Sequence, residues 1–260
     1  MGTRGMVRTG AFGLLLGLLA SGASAGERDA ELKQRIEARL ARAKLAEHAQ
    51  VAVTVQEGRA TLTGFATTLD ARARAERAAL KEAAEVRNEL QVVAGDRPEA
   101  EVRKAVEDAI TRYPYYGVFD AVGADFAAGT LVLRGSVRHP WHRDDIEREV
   151  SRVEGVTAIR NELAVQSLSL HDDRLRADLY ARIYGHALFV TWAGHPDPPV
   201  RILVDRGRVT LAGWVGSEVE RVALGAIARG SMAFAVDNQV QLESERGRAA
   251  EAAAKTIEKS

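Results

Sequence analysis

Apolar residues recur along this chain with two periods, and the periods alternate. Leu32, Ile36 and Leu40 fall at i, i+4 and i+8, as do Val102, Val106 and Ile110, and again Leu175, Leu179 and Ile183. That spacing predicts three amphipathic helices. A run with period-two alternation follows, clearest at Val51, Val53 and Val55, and predicts a strand. Further along, Ile146, Val150 and Val153, and then Val219, Val222, Ala223, Ala226 and Ile227, predict second helices.

Two short motifs sit at fixed places in this pattern. Gly58-Arg-Ala-Thr-Leu62-Thr-Gly64 recurs as Gly129-Thr-Leu-Val-Leu133-Arg-Gly135 and as Gly207-Arg-Val-Thr-Leu211-Ala-Gly213. Each is followed by an Asn motif: Val86-Arg-Asn88-Glu-Leu90, Ile159-Arg-Asn161-Glu-Leu163 and Val236-Asp-Asn238-Gln-Val240. The second Gly and the Asn are 24, 26 and 25 residues apart. A threefold internal repeat follows. The first Gly ends a hairpin turn, and the second marks a bend or a close backbone approach. The order α-β-β-α-β predicts an α+β class: three tandem small domains, each a mixed three-stranded sheet with two helices on one face. The strand–helix–strand step implies a right-handed parallel crossover.

The expected organisation is a leader over residues 1–25, domains over 26–96, 97–168 and 169–243, and a flexible or helical tail over 244–260. The third copy is the longest. Its extra residues lie near His186–Pro199 and read as a loop before a strand at Arg201–Asp205. Asp172 or Asp173 is placed to cap the helix of that copy. In the leader, Arg4 and Arg8 precede the run Ala11–Ala20, and Ala23-Ser-Ala25 is a small-x-small site. This is the pattern of a secretory signal peptide, cut before Gly26. The apolar run is about half of what a membrane-spanning helix needs.

Composition narrows the chemistry. The chain has 260 residues and no cysteine, which excludes disulfides, a thiolate nucleophile, Cys-ligated zinc, iron–sulfur clusters and an N-terminal lipidated cysteine. Lys plus Arg and Asp plus Glu each number 36. The first copy carries twelve basic against eleven acidic residues and the second nine against twelve. Neither balance suits nucleic acid, which calls for a basic domain. The Gly-rich turns lack the Lys-Ser/Thr of a phosphate loop and precede strands rather than helices.

The unit order and the Gly-x-(apolar)-x-Leu-x-Gly…Asn motifs resemble the BON domain, the bacterial OsmY and nodulation domain. The second copy carries the family's Gly-Val step as Gly155-Val156. The first and third copies depart there, with Glu82-Ala83 and Met232-Ala233. The resemblance covers about residues 28–243. It implies an exported protein without enzymatic chemistry or cofactor, linked to osmotic stress tolerance and envelope integrity through phospholipid membranes or partner proteins. The motif residues Gly58, Gly64, Asn88, Gly129, Gly135, Asn161, Gly207, Gly213 and Asn238 are fold-forming and specify no site.

Candidate contact residues come from outside the motifs. His139-Pro-Trp141-His142-Arg143-Asp144-Asp145 is the densest cluster. It offers no third metal ligand and reads as a polar helix start. Trp141 with Arg138 and Arg143 suits a headgroup interface, against a plain reading of a half-buried ring on the sheet edge. Phe189 and Trp192 form an apolar patch if exposed, or pack the long loop down. Arg35, Arg39 and Arg42 share a helix face that could meet anionic headgroups, or be a solvated face. The expected function is a periplasmic protein that binds anionic phospholipid peripherally; the alternative is a tandem interaction module for envelope proteins.

Overall fold

A computed structural model describes residues 24–127, 130–195 and 197–245. Nearly all of the expected leader, Gly129 and the tail from residue 246 lie outside the described residues. The first unit runs α1 (Ala25–Arg42), β1 (Ala49–Gln56), β2 (Arg59–Ala66), α2 (Leu69–Ala79), β3 (Glu85–Asn88) and β4 (Gln91–Val92). The second runs α3 (Glu99–Thr111), β5 (Ala121–Ala127), β6 (Thr130–Val137), α4 (Pro140–Val150), β7 (Ala158–Asn161) and β8 (Ala164–Val165). The third runs α5 (Leu170–Tyr184), β9 (Val200–Asp205), β10 (Arg208–Val215), α6 (Glu218–Arg229) and β11 (Ala235–Leu242). The class is α+β, with three repeated units.

In every unit the hairpin is antiparallel and the last strand pairs parallel with the hairpin's second strand, which lies in the middle. The three helix stripes close three separate cores. Ile36 packs with Leu62, Val106 with Leu133, and Leu179 with Leu211.

The motif residues explain the repeat. Gly64, Gly135 and Gly213 all have positive φ, and a Cβ on any of them would overlap a carbonyl oxygen of the neighbouring strand, that of Gln50, Ala121 or Pro199. Only glycine permits so close an approach. The Asn staples the last strand to the second helix. Asn88 Nδ2 donates to Arg72 O at 3.2 Å, Asn161 Nδ2 to Arg143 O at 3.1 Å, and Asn238 Nδ2 to Arg221 O at 2.9 Å. The same side chain's Oδ1 accepts the N–H of Leu90, Leu163 or Val240. The Asn lies within the last strand. In the first two units the strand is interrupted just after it, whereas β11 is continuous.

Two expectations need correction, and for Phe189 the packed reading holds over a lipid or partner contact. The cap of α5 is Ser169, whose Oγ accepts the N–H of Asp172 at 3.0 Å. Asp172 is buried and instead accepts from Arg206 N at 2.9 Å and Gly207 N at 2.7 Å, clamping the β9–β10 turn to the helix. Asp29 clamps the β1–β2 turn in the same way, with Glu57 N and Gly58 N both at 2.8 Å. On α6 the buried line is Leu224, Gly225 and Ala228, while Val219 and Val222 face outward. The helix has two apolar lines, and the staple from Asn238 to Arg221 O fixes which one turns inward. Phe189 is 0% exposed and belongs to the third core.

The units are joined unequally. Between the first two, Asp70 N donates to Ser151 O at 2.9 Å and Thr67 Oγ1 to Glu154 at 3.1 Å. Between the second and third, Ile202 N donates to Val118 O at 2.8 Å, and Val118 is itself part of the third core. Arg176, fully buried, reaches Val204 O at 2.6 Å, Gln166 Oε1 at 3.2 Å, Ser167 O at 3.2 Å and Asp173 at 2.9 Å. Among the described residues no helix is long and apolar enough to cross a membrane.

Candidate functional site

The densest cluster of the sequence folds into a groove beside the joint of the second and third units. His139 is the N-cap of α4 and Pro140 its first residue, whose fixed φ suits that position. The turn this creates sends neighbouring side chains in opposite directions. His142 points inward and is buried, with Nδ1 3.2 Å from Asp120 Oδ1. Trp141 points outward, 52% exposed, and lies flat on the His139 ring at 4.2 Å and 8°. Tyr115 and Phe119 complete an open groove of about 450 Å³.

Its polar groups are mostly engaged in holding backbone. Asp120 accepts from Arg138 N at 2.7 Å and Gly117 N at 3.2 Å, besides facing His142. The Arg138 guanidinium pairs with Asp173 at 3.0 Å and lies over the Phe119 ring. Burial, helped by the Arg138 charge, lowers the His139 pKa and keeps that ring neutral at pH 7. Tyr113 is buried and donates to Asp145 at 2.8 Å; burial raises its phenol and the bond lowers the carboxyl. Among the described residues no three His, Asp or Glu side chains cluster as metal ligands.

The other candidates are dispersed. Glu82 lies between Arg35 and Arg39: it pairs with Arg39 and stands 3.6 Å from Arg35. The Arg39 hydrogen bond holds the Glu82 carboxyl below its usual range. The basic stripe is thus partly neutralised from the loop after α2, and Arg42 remains exposed at its end. Arg143 donates to Asn161 O at 3.3 Å, across the staple. Phe189 is core, and Trp192 stacks on it at 4.9 Å and 30°, so the long loop is packed down and offers no joint aromatic patch.

One polar trio invites a catalytic reading. Thr67 Oγ1 is 3.4 Å from His48 Nδ1, and Glu154 is 3.3 Å from that same nitrogen. A relay needs the base and its orienting acid on opposite ring nitrogens. Here both partners share Nδ1, and the trio ties the first unit to the second.

Sequence reasoning missed the most exposed large apolar side chains, Leu170, Met232 and Phe234. They fall outside every helix stripe and strand alternation. Their one signal was that Met232 replaces the glycine of the Gly155-Val156 step.

Comparison with known proteins bears on the repeat itself. No curated protein matches the chain. Among solved structures, CdsD, a structural protein of the type III secretion system of Chlamydia trachomatis, is 13% identical over 82% of this chain and 92% of its own, with a TM-score of 0.25. The periplasmic domain of the type III secretion inner membrane protein PrgH from S. typhimurium is 16% identical over 75% of this chain and 94% of its own, with a TM-score of 0.19. The BON domain family model matches residues 28–94, 98–167 and 171–244, one match on each helix–hairpin–helix–strand unit. Because those matches span well over half of the sequence, and the recurring glycines and asparagines hold each unit together, the chain belongs to the BON domain family.

Proposed function

We propose that this BON domain protein is an exported, non-enzymatic protein of the periplasm that binds anionic phospholipid surfaces peripherally, in support of envelope integrity or osmotic stress tolerance. The observation that carries this reading is the set of large apolar side chains left outside three filled cores, Trp141 among them. An indole held flat on a neutral imidazole is a rigid amphipathic contact of the kind that sits at headgroup level. Arg42, at the end of the first helix, adds charge of the right sign. The non-enzymatic reading is supported by what the polar clusters are used for: Asp120 holds backbone, and His48 with Glu154 joins two units. Signal-like features of residues 1–25 support export.

The test is co-sedimentation of the protein with vesicles of phosphatidylglycerol and phosphatidylcholine, against phosphatidylcholine alone, at low and physiological salt. Binding that needs the anionic lipid and weakens with salt is expected. Protein that stays in the supernatant throughout would overturn the reading in favour of a tandem interaction module, in which three domains in series add weak contacts to an envelope protein.

A further inference from the structure

We infer that the turn end of the third unit is the surface that meets the anionic bilayer, an inference that rests on the phospholipid reading above. Three chain segments converge there. The Asp172 clamp brings the start of α5 against the β9–β10 turn. Phe234 N donates to Gly207 O at 2.8 Å, and Arg208 pairs with Ala235, so the α6–β11 loop arrives at the same place. Leu170, Met232 and Phe234, one or two from each arriving segment, are 77%, 81% and 79% exposed. The Phe234 ring is not loose: it lies over Gly207 and stacks on His171 at 5.4 Å and 16°.

The charge around these side chains is basic and unspent. Arg174, Arg206 and Arg208 are exposed, and none has an ion-pair partner among the described residues. The nearby acids are engaged. Asp172 clamps the turn, Asp173 pairs with Arg138 and Arg176, and Asp205 accepts Ser167 N at 2.8 Å.

The first unit shows that the fold does not require this surface. Its Asp29 clamp and its pairing of Arg59 with Glu85 superpose residue for residue on the Asp172 clamp and on Arg208 with Ala235. By that register Glu27 takes the place of Leu170, Glu57 that of Arg206, Glu82 that of Met232 and Ala84 that of Phe234. One scaffold thus carries largely paired glutamates at this end of the first unit and an apolar end ringed by arginine in the third. Apolar side chains on protruding loops, with free cations beside them, match the depth and charge of an anionic headgroup layer.

The test places the first unit's residues on the third, as the triple substitution Leu170→Glu, Arg206→Glu, Met232→Glu in the full chain. All three positions are exposed, and Glu57 already occupies the left-handed backbone conformation that Arg206 adopts, so folding should survive; circular dichroism and the melting temperature check this. Met232→Glu alone is the milder variant. Val219→Glu, an equally charged change at the opposite end of the unit, is the control. With phosphatidylglycerol vesicles the triple variant should lose at least about tenfold in partitioning, the single variant less, and the control nothing. Wild-type binding that the triple variant retains would overturn this surface and leave the phospholipid reading standing. Wild-type protein that ignores every vesicle would overturn both, and a photocrosslinker at position 232 that then trapped one envelope protein would make this end a protein interface.

Discussion

Asp172 has no place in a helix stripe or a strand, yet it does more for the third unit than most core residues. Burial alone would raise its carboxyl. The N–H groups of Gly207 and Arg206, the Ser169 hydroxyl and the Arg176 charge outweigh that and hold its pKa below the ordinary value of 3.8. The folded state therefore favours the ionised form more than the unfolded chain does. That contribution is complete above the ordinary value and is lost as pH falls through the lowered one. Asp172→Ala should cost about 3 kcal/mol at pH 7, since the buried Gly207 N–H and the half-buried Arg206 N–H lose a charged acceptor. The gap from wild type should narrow as pH drops below about 4. Urea melts across that range check both; a gap that stayed constant down to acid pH would mean that packing, and not the carboxylate, accounts for the loss.

At the level of elements, aromatic side chains have opposite fates according to the turn that carries them. Phe189 and Trp141 each follow a helix boundary. The short helical turn Val190–Trp192 folds Phe189 under into the third core. The N-cap geometry at His139 turns Trp141 out. Phe189→Ala should then cost about 3–5 kcal/mol, the range for emptying a filled core site. Trp141→Ala should cost under about 1 kcal/mol, as for other exposed positions. Chemical denaturation of the two variants side by side decides this, and similar losses from both would contradict the burial difference.

For the whole molecule, the joints matter more than the units. Val118 lies in the third core although it belongs to the second unit, and Arg176 closes the seam from the other side. The second and third units should unfold together, while the first, held by polar contacts near Ser151 and Glu154 and by Leu69 at the edge of the second core, should unfold separately. Removing Arg176 takes the buried donor from Val204 O and Ser167 O and leaves Gln166 Oε1 with Val204 N alone. Arg176→Ala should cost about 3–5 kcal/mol and split the shared transition in two. Calorimetry reads this directly, and second and third units already melting apart in the wild type would refute the coupling.

The sequence by itself determined the repeat, the α-β-β-α-β order and the role of the motif residues. Each of those is a local demand. A helix stripe needs its i, i+4 spacing, and a glycine facing a strand carbonyl admits no Cβ. The staple asparagine is legible as a repeated position, though not as a bond, because its helix partners Arg72, Arg143 and Arg221 lie 16 to 18 residues away. Only the tertiary structure decided how surfaces are used. Glu82 moved the Arg35–Arg39–Arg42 stripe from a free cationic face to a partly paired one. Val219 looked like core and is not, because α6 had two apolar lines and one staple chose between them. Leu170 comes from the start of α5, Met232 and Phe234 from the α6–β11 loop, and they share a surface only because a buried carboxylate and a parallel strand bring those two places together. Exposure, charge pairing and adjacency depend on residues far apart in sequence, and no periodicity carries them.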